Sequence, residues 1–445
     1  MKVCDFLFSL AILFLSGNDT LALLKYKHDK VVSCYVASWA VYRPKDGTFT
    51  VDNIPLELCT HFIYTFAGLN STTSTIRSLD PHMDIENGIG NYRKMTQLRE
   101  KYPNLNVLLA IGGWNENSTE YSILASSPKE RRTFVRSVVD FLQTYNFNGL
   151  DLDWEYPGER GGKPEDKQNF VSLVKELKEA FSPFKYLLTA AISASKTIID
   201  NAYDIPQLSN YLDYIHVMAY DYHGSWDKMV LPNAPLKSLD DHSVEETLKY
   251  LLKKNAPPSK LVLGLPMYGR TFILKNKLNS SEESPIGKAT ELDGFKGPYT
   301  GQNGFMGFNE ICEELVNNPG KWKSKWDDNS ETPYAINDDR VIMFDNPRSL
   351  KAKVEYAMKL NLSGVMSWSI DTDDFKGICA QLTESLDPTD KTFPLMRSIN
   401  VLLANSSSNN NHTSNNNHNN HKGGSSVQYS CNFVLAIVAL FTYYV

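Results

Sequence analysis

Ten residues constrain the fold of this 445-residue chain more than any others: Asn148-Gly149-Leu150-Asp151-Leu152-Asp153-Trp154-Glu155-Tyr156-Pro157. Leu150, Leu152 and Trp154 alternate with Asp151, Asp153 and Glu155, so an extended strand sends the apolar side chains to one face and three carboxylates to the other. The acids then share one small space. Such crowding opposes full ionisation, and at least one acid is expected to hold its proton near neutral pH, the titration belonging to the group. That is a signature of acid catalysis. The alternative use of such a cluster is to gather a hard cation, but nothing nearby resembles a metal-ligand loop, and no metal is expected.

The strand has seven companions. Short apolar runs at 31–37, 61–66, 106–111, 149–154, 186–192, 214–219, 261–265 and 364–369 are mostly separated by amphipathic helical patterns. One helix is expected over 128–145, with Ser127 and Pro128 as its start signal and Phe134, Val138, Phe141 and Tyr145 on one face; another over 164–181 presents Phe170, Val174, Leu177 and Phe181. Strand and helix repeated eight times predict an α/β chain folded as a (β/α)8 TIM barrel. The rhythm breaks between the seventh and eighth strands. Residues 271–342 are rich in Gly, Pro and aromatics, with one helical piece near 309–316. So long an interval is implausible as bare loop, and a small inserted α+β domain is expected, an ordinary long surface excursion being the alternative.

Barrel sites are built at the C-terminal ends of the strands. Tyr35 and Trp39, Phe66, Gly112-Gly113-Trp114, Met218-Ala219-Tyr220-Asp221, Met267-Tyr268-Gly269-Arg270 and Trp368 stand at or just beyond those ends. Aromatic faces suit the C–H faces of sugars, while carboxylates and Arg bond hydroxyls and amides. Any one of these aromatics could simply pack between strand and helix, and Arg270 could serve only a structural ion pair. Taken together they point to a binding mouth.

The run around Asp151 resembles the D-x-x-D-x-D-x-E signature of glycoside hydrolase family 18, the chitinases and chitinase-like lectins, and the similarity extends over about residues 31–400. The resemblance implies a catalytic barrel over 28–400 and an endo-acting chitinase that cleaves β-1,4-linked N-acetylglucosamine by substrate-assisted retention. Glu155 falls on the general acid; Asp153 would orient the substrate's acetamido group, Asp151 would share charge and proton with Asp153, and Tyr220 would bond the acetamido carbonyl. Sugar contacts would come from Tyr35, Trp39, Phe66, Gly113, Trp114, Met218, Asp221, Tyr268, Arg270 and Trp368. The chain departs from the signature at Asn148, where the family usually has its first Asp; loss of that charge is expected to modulate the pH–rate profile without abolishing activity. A lectin on the same barrel is the alternative from another class, and hydrolysis of the N-glycan core is a nearer one. Retention of Glu155 favours an enzyme, and the row of tryptophans a long polymer groove.

The ends bear on compartment. Residues 1–20 read as a secretory signal peptide, too short in its apolar run to span a bilayer. Six cysteines leave four for the ordered chain once Cys4 and Cys431 are set aside: Cys34, Cys59, Cys312 and Cys379. An exported chain with an even count implies disulfides, and spacing alone allows three pairings; the family resemblance favours Cys34–Cys59 with Cys312–Cys379. Sequons at Asn70, Asn117, Asn279, Asn361, Asn405 and Asn411 fit export. Residues 401–422 form an Asn/His/Ser-rich stretch that cannot bury a core and is expected as a solvated stalk, its His412, His418 and His421 a weak metal-binding candidate. Residues 423–445 match a glycosylphosphatidylinositol (GPI) anchor signal: small residues, a polar spacer and a short apolar end. A net charge of −6 without a long basic run argues against nucleic acid. The expected partners are chitin or N-acetylglucosamine oligomers and, through the anchor, a membrane surface; a monomer without cofactor is expected.

Overall fold

The structure, a computed structural model, describes residues 26–416 apart from 239, 280–282 and 382–384. The signal, the anchor segment, Cys4, Cys431 and residues 417–422 lie outside the described residues. The compact unit ends at Ser406.

Eight parallel strands close on themselves: β1 (Val31–Ala37), β2 (His61–Asn70), β4 (Asn106–Gly112), β5 (Gly149–Asp153), β6 (Leu187–Ser193), β7 (Tyr214–Met218), β8 (Leu261–Pro266) and β14 (Gly364–Trp368). Closure comes from β1, which pairs with β14 on one side and β2 on the other. The remaining strand of this sheet, β3 (Thr75–Ser78), folds back antiparallel on β2. The fold is the expected (β/α)8 barrel. Alternation in β5 sorts its side chains as read: Leu150, Leu152 and Trp154 pack into the layer between strands and helices with Phe170, Val174 and Leu177. Inside the barrel, Tyr35, Ile63, Leu108, Ala110, Val262 and Met366 form a separate apolar cluster. A one-residue slip of β5 would exchange these faces and bury its carboxylates against the helices, so the register is fixed.

The helices follow their start signals. Ser127 caps the helix Pro128–Tyr145 by accepting from the Glu130 N–H at 3.3 Å, and Asn146, in the left-handed region, ends it. Phe134 and Val138 are buried, whereas Phe141 and Tyr145 pack edge-on against Tyr92. The second helix, Asp166–Phe181, buries Phe170, Val174, Leu177 and Phe181.

Between β8 and β14 lies a second sheet, all antiparallel, formed by β9 (Tyr268–Ile273), β10 (Phe305–Gly307), β11 (Lys323–Asp327), β12 (Thr332–Asn337) and β13 (Arg340–Met343) in the order β10-β9-β13-β12-β11. Its helix, Phe308–Asn317, starts where the Glu310 carboxylate accepts from the Gly307, Tyr299 and Thr300 N–H groups. The region expected from 271 begins at Tyr268, because β9 follows β8 with only Met267 between them. Tyr268 and Arg270 therefore belong to the second sheet. Both disulfides pair as the resemblance implied, Cys34–Cys59 and Cys312–Cys379, with Cα–Cα distances of 6.1 and 5.1 Å.

The boundary at 400 is also corrected. The final helix runs Pro394–Asn416 and keeps Leu402 and Leu403 in the barrel's outer core. These are the last apolar pair before the Asn-rich run, and burial extends to them. Among the described residues, no helix is long and apolar enough to cross a membrane.

Candidate active site

Asp151 and Asp153 end β5 on its inner face, and Glu155 follows beyond the strand. Asp151 is fully buried. Its Oδ2 accepts from the Tyr35 hydroxyl at 2.8 Å and its Oδ1 from Thr189 at 2.5 Å, with His216 Nδ1 3.1 Å away and the far ring nitrogen 3.0 Å from Ser33. Asp153 is buried too, and its Oδ1 meets no donor of the protein among the described residues. Burial first, then repulsion from Glu155 and Asp151, pushes its pKa well above the carboxylate range. Glu155 is pushed up to about 7, chiefly by burial, with Tyr156 and Arg160 opposing and Asp221 adding. A buried pair of this kind holds a proton at neutral pH, and burial, more than the crowding of the acids, is the cause.

The neighbouring strand lets its backbone approach this pair. Gly112, which ends β4, and Gly113 after it both lie at positive φ, and a Cβ on Gly112 would lie 2.2 Å from the Asp153 carbonyl oxygen, which instead accepts from the Gly113 N–H at 2.8 Å. Arg160 stands over the Trp114 ring, its guanidinium carbon 3.5 Å from the ring centre, and donates to the backbone oxygens of both Trp114 and Glu155. The peptide bonds after Thr65, Glu155 and Trp368 are cis.

Above the acids opens a groove of about 1100 Å³. Trp368 forms its floor with Tyr35, Phe66 and Trp39 at centroid distances of 5.6, 5.9 and 6.3 Å, and Trp39 stacks on Phe66. Trp39, Trp114 and Trp226 remain exposed. Exposed indole faces along a cleft this large suit a chain of several rings rather than one small ligand. Met218, Tyr220 and Asp221 line it on the β7 side. Tyr220 is buried, which holds its pKa well up and keeps its hydroxyl a donor.

Asp221 is held from the second sheet. Its Oδ1 accepts from the Tyr268 hydroxyl at 2.6 Å and from Arg270 Nε and Nη2 at 2.8 and 2.7 Å. Tyr268, which the resemblance places among the sugar contacts, is almost completely buried and gives its hydroxyl proton to Asp221. Tyr35 touches the groove but spends its hydroxyl on Asp151. Asn148 is a further correction. It sits at the N-terminal end of β5, where its Oδ1 accepts from the Val107 N–H at 2.8 Å and its own N–H donates to the Val107 oxygen. It splices β5 to β4 and stands apart from the acids, so an Asp there would make the same bond without entering their charge network.

Four contributors escaped the sequence reading. His216 and Thr189 lie on inner faces of β7 and β6 and could have been found by strand parity; Trp226 and Arg160 lie five residues beyond strand-end residues already singled out.

Protonated carboxylate chemistry, delivered at the carboxyl mouth of a parallel barrel to a chain of polar rings, is that of a glycoside hydrolase. The chain belongs to glycosyl hydrolases family 18, whose family model matches residues 31–373. "Probable chitinase 2" of Drosophila melanogaster is 48% identical over 394 residues, 84% of this chain and 80% of that one. The Group IV chitinase of Ostrinia furnacalis, in complex with allosamidin, superposes with a TM-score of 0.79 at 41% identity, covering 85% of this chain and 100% of that one. Human YKL-39, described as a pseudo-chitinase with retained chitooligosaccharide binding, gives a TM-score of 0.74 at 32% identity over 84% of this chain and 99% of that one.

Proposed function

We propose that this chain is an endo-acting chitinase using substrate-assisted retention, with Glu155 as acid and then base. Glu155 protonates the glycosidic oxygen while the carbonyl oxygen of the 2-acetamido group attacks the anomeric carbon and the C–O bond breaks. Asp153 Oδ1 accepts from the acetamido N–H, and Tyr220 donates to its carbonyl oxygen. Water then attacks the anomeric carbon, giving its proton to the Glu155 carboxylate, and the configuration is retained. The observation that carries this reading is the buried Asp153 oxygen, without a protein donor among the described residues, beside a raised Glu155. Among the described residues, no second carboxylate is identified in a nucleophile's role. Chitin oligomers are therefore expected to be cut with retention, and fully deacetylated oligomers to resist; comparable product release from both would defeat the mechanism. A lectin reading shares fold and groove but lacks turnover, so the same assay separates the two.

The acid sets the pH dependence. With its pKa at about 7, Glu155 is protonated below that value and loses its proton above it. The alkaline limb of the kcat/KM profile is expected near pH 7, and a limb near the ordinary glutamate value would show that the acid is not held up.

We further infer an extracellular protein tethered by a glycosylphosphatidylinositol anchor, from the apolar start and the small-residue, spacer and apolar sequence of 423–445. A phosphatidylinositol-specific phospholipase is expected to release it from expressing cells. Retention of residues 433–445 in the mature chain would overturn this.

A further inference from the structure

We propose that His223, Asp240 and His242 form a binding site for a zinc-type transition-metal ion at the rim of the groove. Their ligand atoms all lie within 4.8 Å of one another. Asp240 Oδ2 is 3.8 Å from His223 Nε2 and 3.4 Å from His242 Nδ1. Those separations exceed a good N–H···O bond and approach the edge of a tetrahedron around zinc, about 3.3–3.5 Å for metal bonds of about 2.0–2.2 Å. Small side-chain adjustments would bring all three donors onto one ion.

The surroundings match such a centre. Asp240 Oδ1 is occupied by the Ser238 hydroxyl at 2.6 Å and the His242 N–H at 3.0 Å, which turns Oδ2 toward the two rings. His223 Nδ1 lies 3.3 Å from Asp227 Oδ2. A proton donated there leaves the Nε2 lone pair free to ligate and orients the ring, as carboxylates behind zinc-binding histidines do. Asp227 is itself fixed by the Gly224 N–H at 3.0 Å. The His223 side chain is 8% exposed, while those of Asp240 and His242 are 51% and 54% exposed. The ion would thus be anchored on a rigid ligand and open on its other side, with three protein ligands and a free fourth position. Imidazole and carboxylate favour zinc over magnesium or calcium, which prefer sites built from oxygen alone. His242 also lines the groove, so a bound ion there stands where a polymer enters and should obstruct it.

The test uses the full chain with His412, His418 and His421 changed to Asn, which removes the C-terminal imidazoles. Titration calorimetry with Zn²⁺ is expected to give one site per chain. His242→Ala and Asp240→Asn, both at exposed positions, should each weaken it at least about tenfold, and Asp227→Asn by about 10–100-fold. Zn²⁺ should slow oligomer hydrolysis in the parent and fail to do so in His242→Ala. Absence of saturable binding, affinity unchanged in both rim variants, or equal inhibition of parent and His242→Ala would each overturn the site.

Discussion

Glu155→Gln is expected to abolish turnover while leaving the groove able to hold its substrate. The amide keeps nearly the same volume and can still donate to a glycosidic oxygen, but it has no acidic proton to transfer. General acid catalysis alone is worth about 10²–10⁴-fold. In the proposed mechanism one residue serves both steps, as acid for departure and base for water, so the loss should reach or exceed about 10⁴-fold. None of the groove's indoles contributes a proton, and Asp153 keeps its place. Calorimetry and turnover on one chitin oligomer, run in parallel for both proteins, decide the matter. Retained affinity with collapsed kcat supports the assignment; a variant as active as wild type means that the proton comes from elsewhere, and a wild type that binds without turning over is a lectin.

The second large effect is expected at Asp153. Asp153→Asn keeps the shape of the side chain, but removes the carboxylate that would fix the acetamido N–H as positive charge develops on that group. Loss of one oriented electrostatic partner costs about 10²–10³ in kcat in well-studied cases, and a similar fall is expected here with a smaller change in KM. Glu155 owes its raised pKa chiefly to burial, which the variant leaves in place, so the alkaline limb of the residual activity should stay near pH 7. A kcat within twofold of wild type would remove Asp153 from the chemistry.

Much of this site was legible because strand parity is a strict rule. Once Leu150, Leu152 and Trp154 are assigned to the helix layer, Asp151 and Asp153 have no other place than the barrel interior. What parity does not give is depth. Tyr35 and Tyr268 stand at strand ends in the sequence as Trp368 does, yet one is committed to Asp151 and the other lies under Asp221. Motif position alone also made Asn148 look like a member of the charge network, when three residues of extended chain carry it toward the barrel's opposite end, into backbone pairing with Val107. The Tyr268 boundary has a related cause: Tyr268 and Arg270 read as residues just beyond a strand ending at 265, and only hydrogen bonding to β10 and β13 shows that they begin another sheet.

That second sheet limits how this enzyme can be shortened. Arg270, the cation that holds Asp221, lies on β9, paired to Phe305 on one side and Met343 on the other. Excising the inserted stretch from a barrel for engineering purposes would strip β9 of both partners and leave the arginine without a frame. The region is not a detachable accessory clipped onto a finished catalyst. A minimal version of this enzyme must carry it, and chimeras that exchange groove walls between relatives should be cut before Tyr268 and after Met343, so that the aspartate's clamp travels whole.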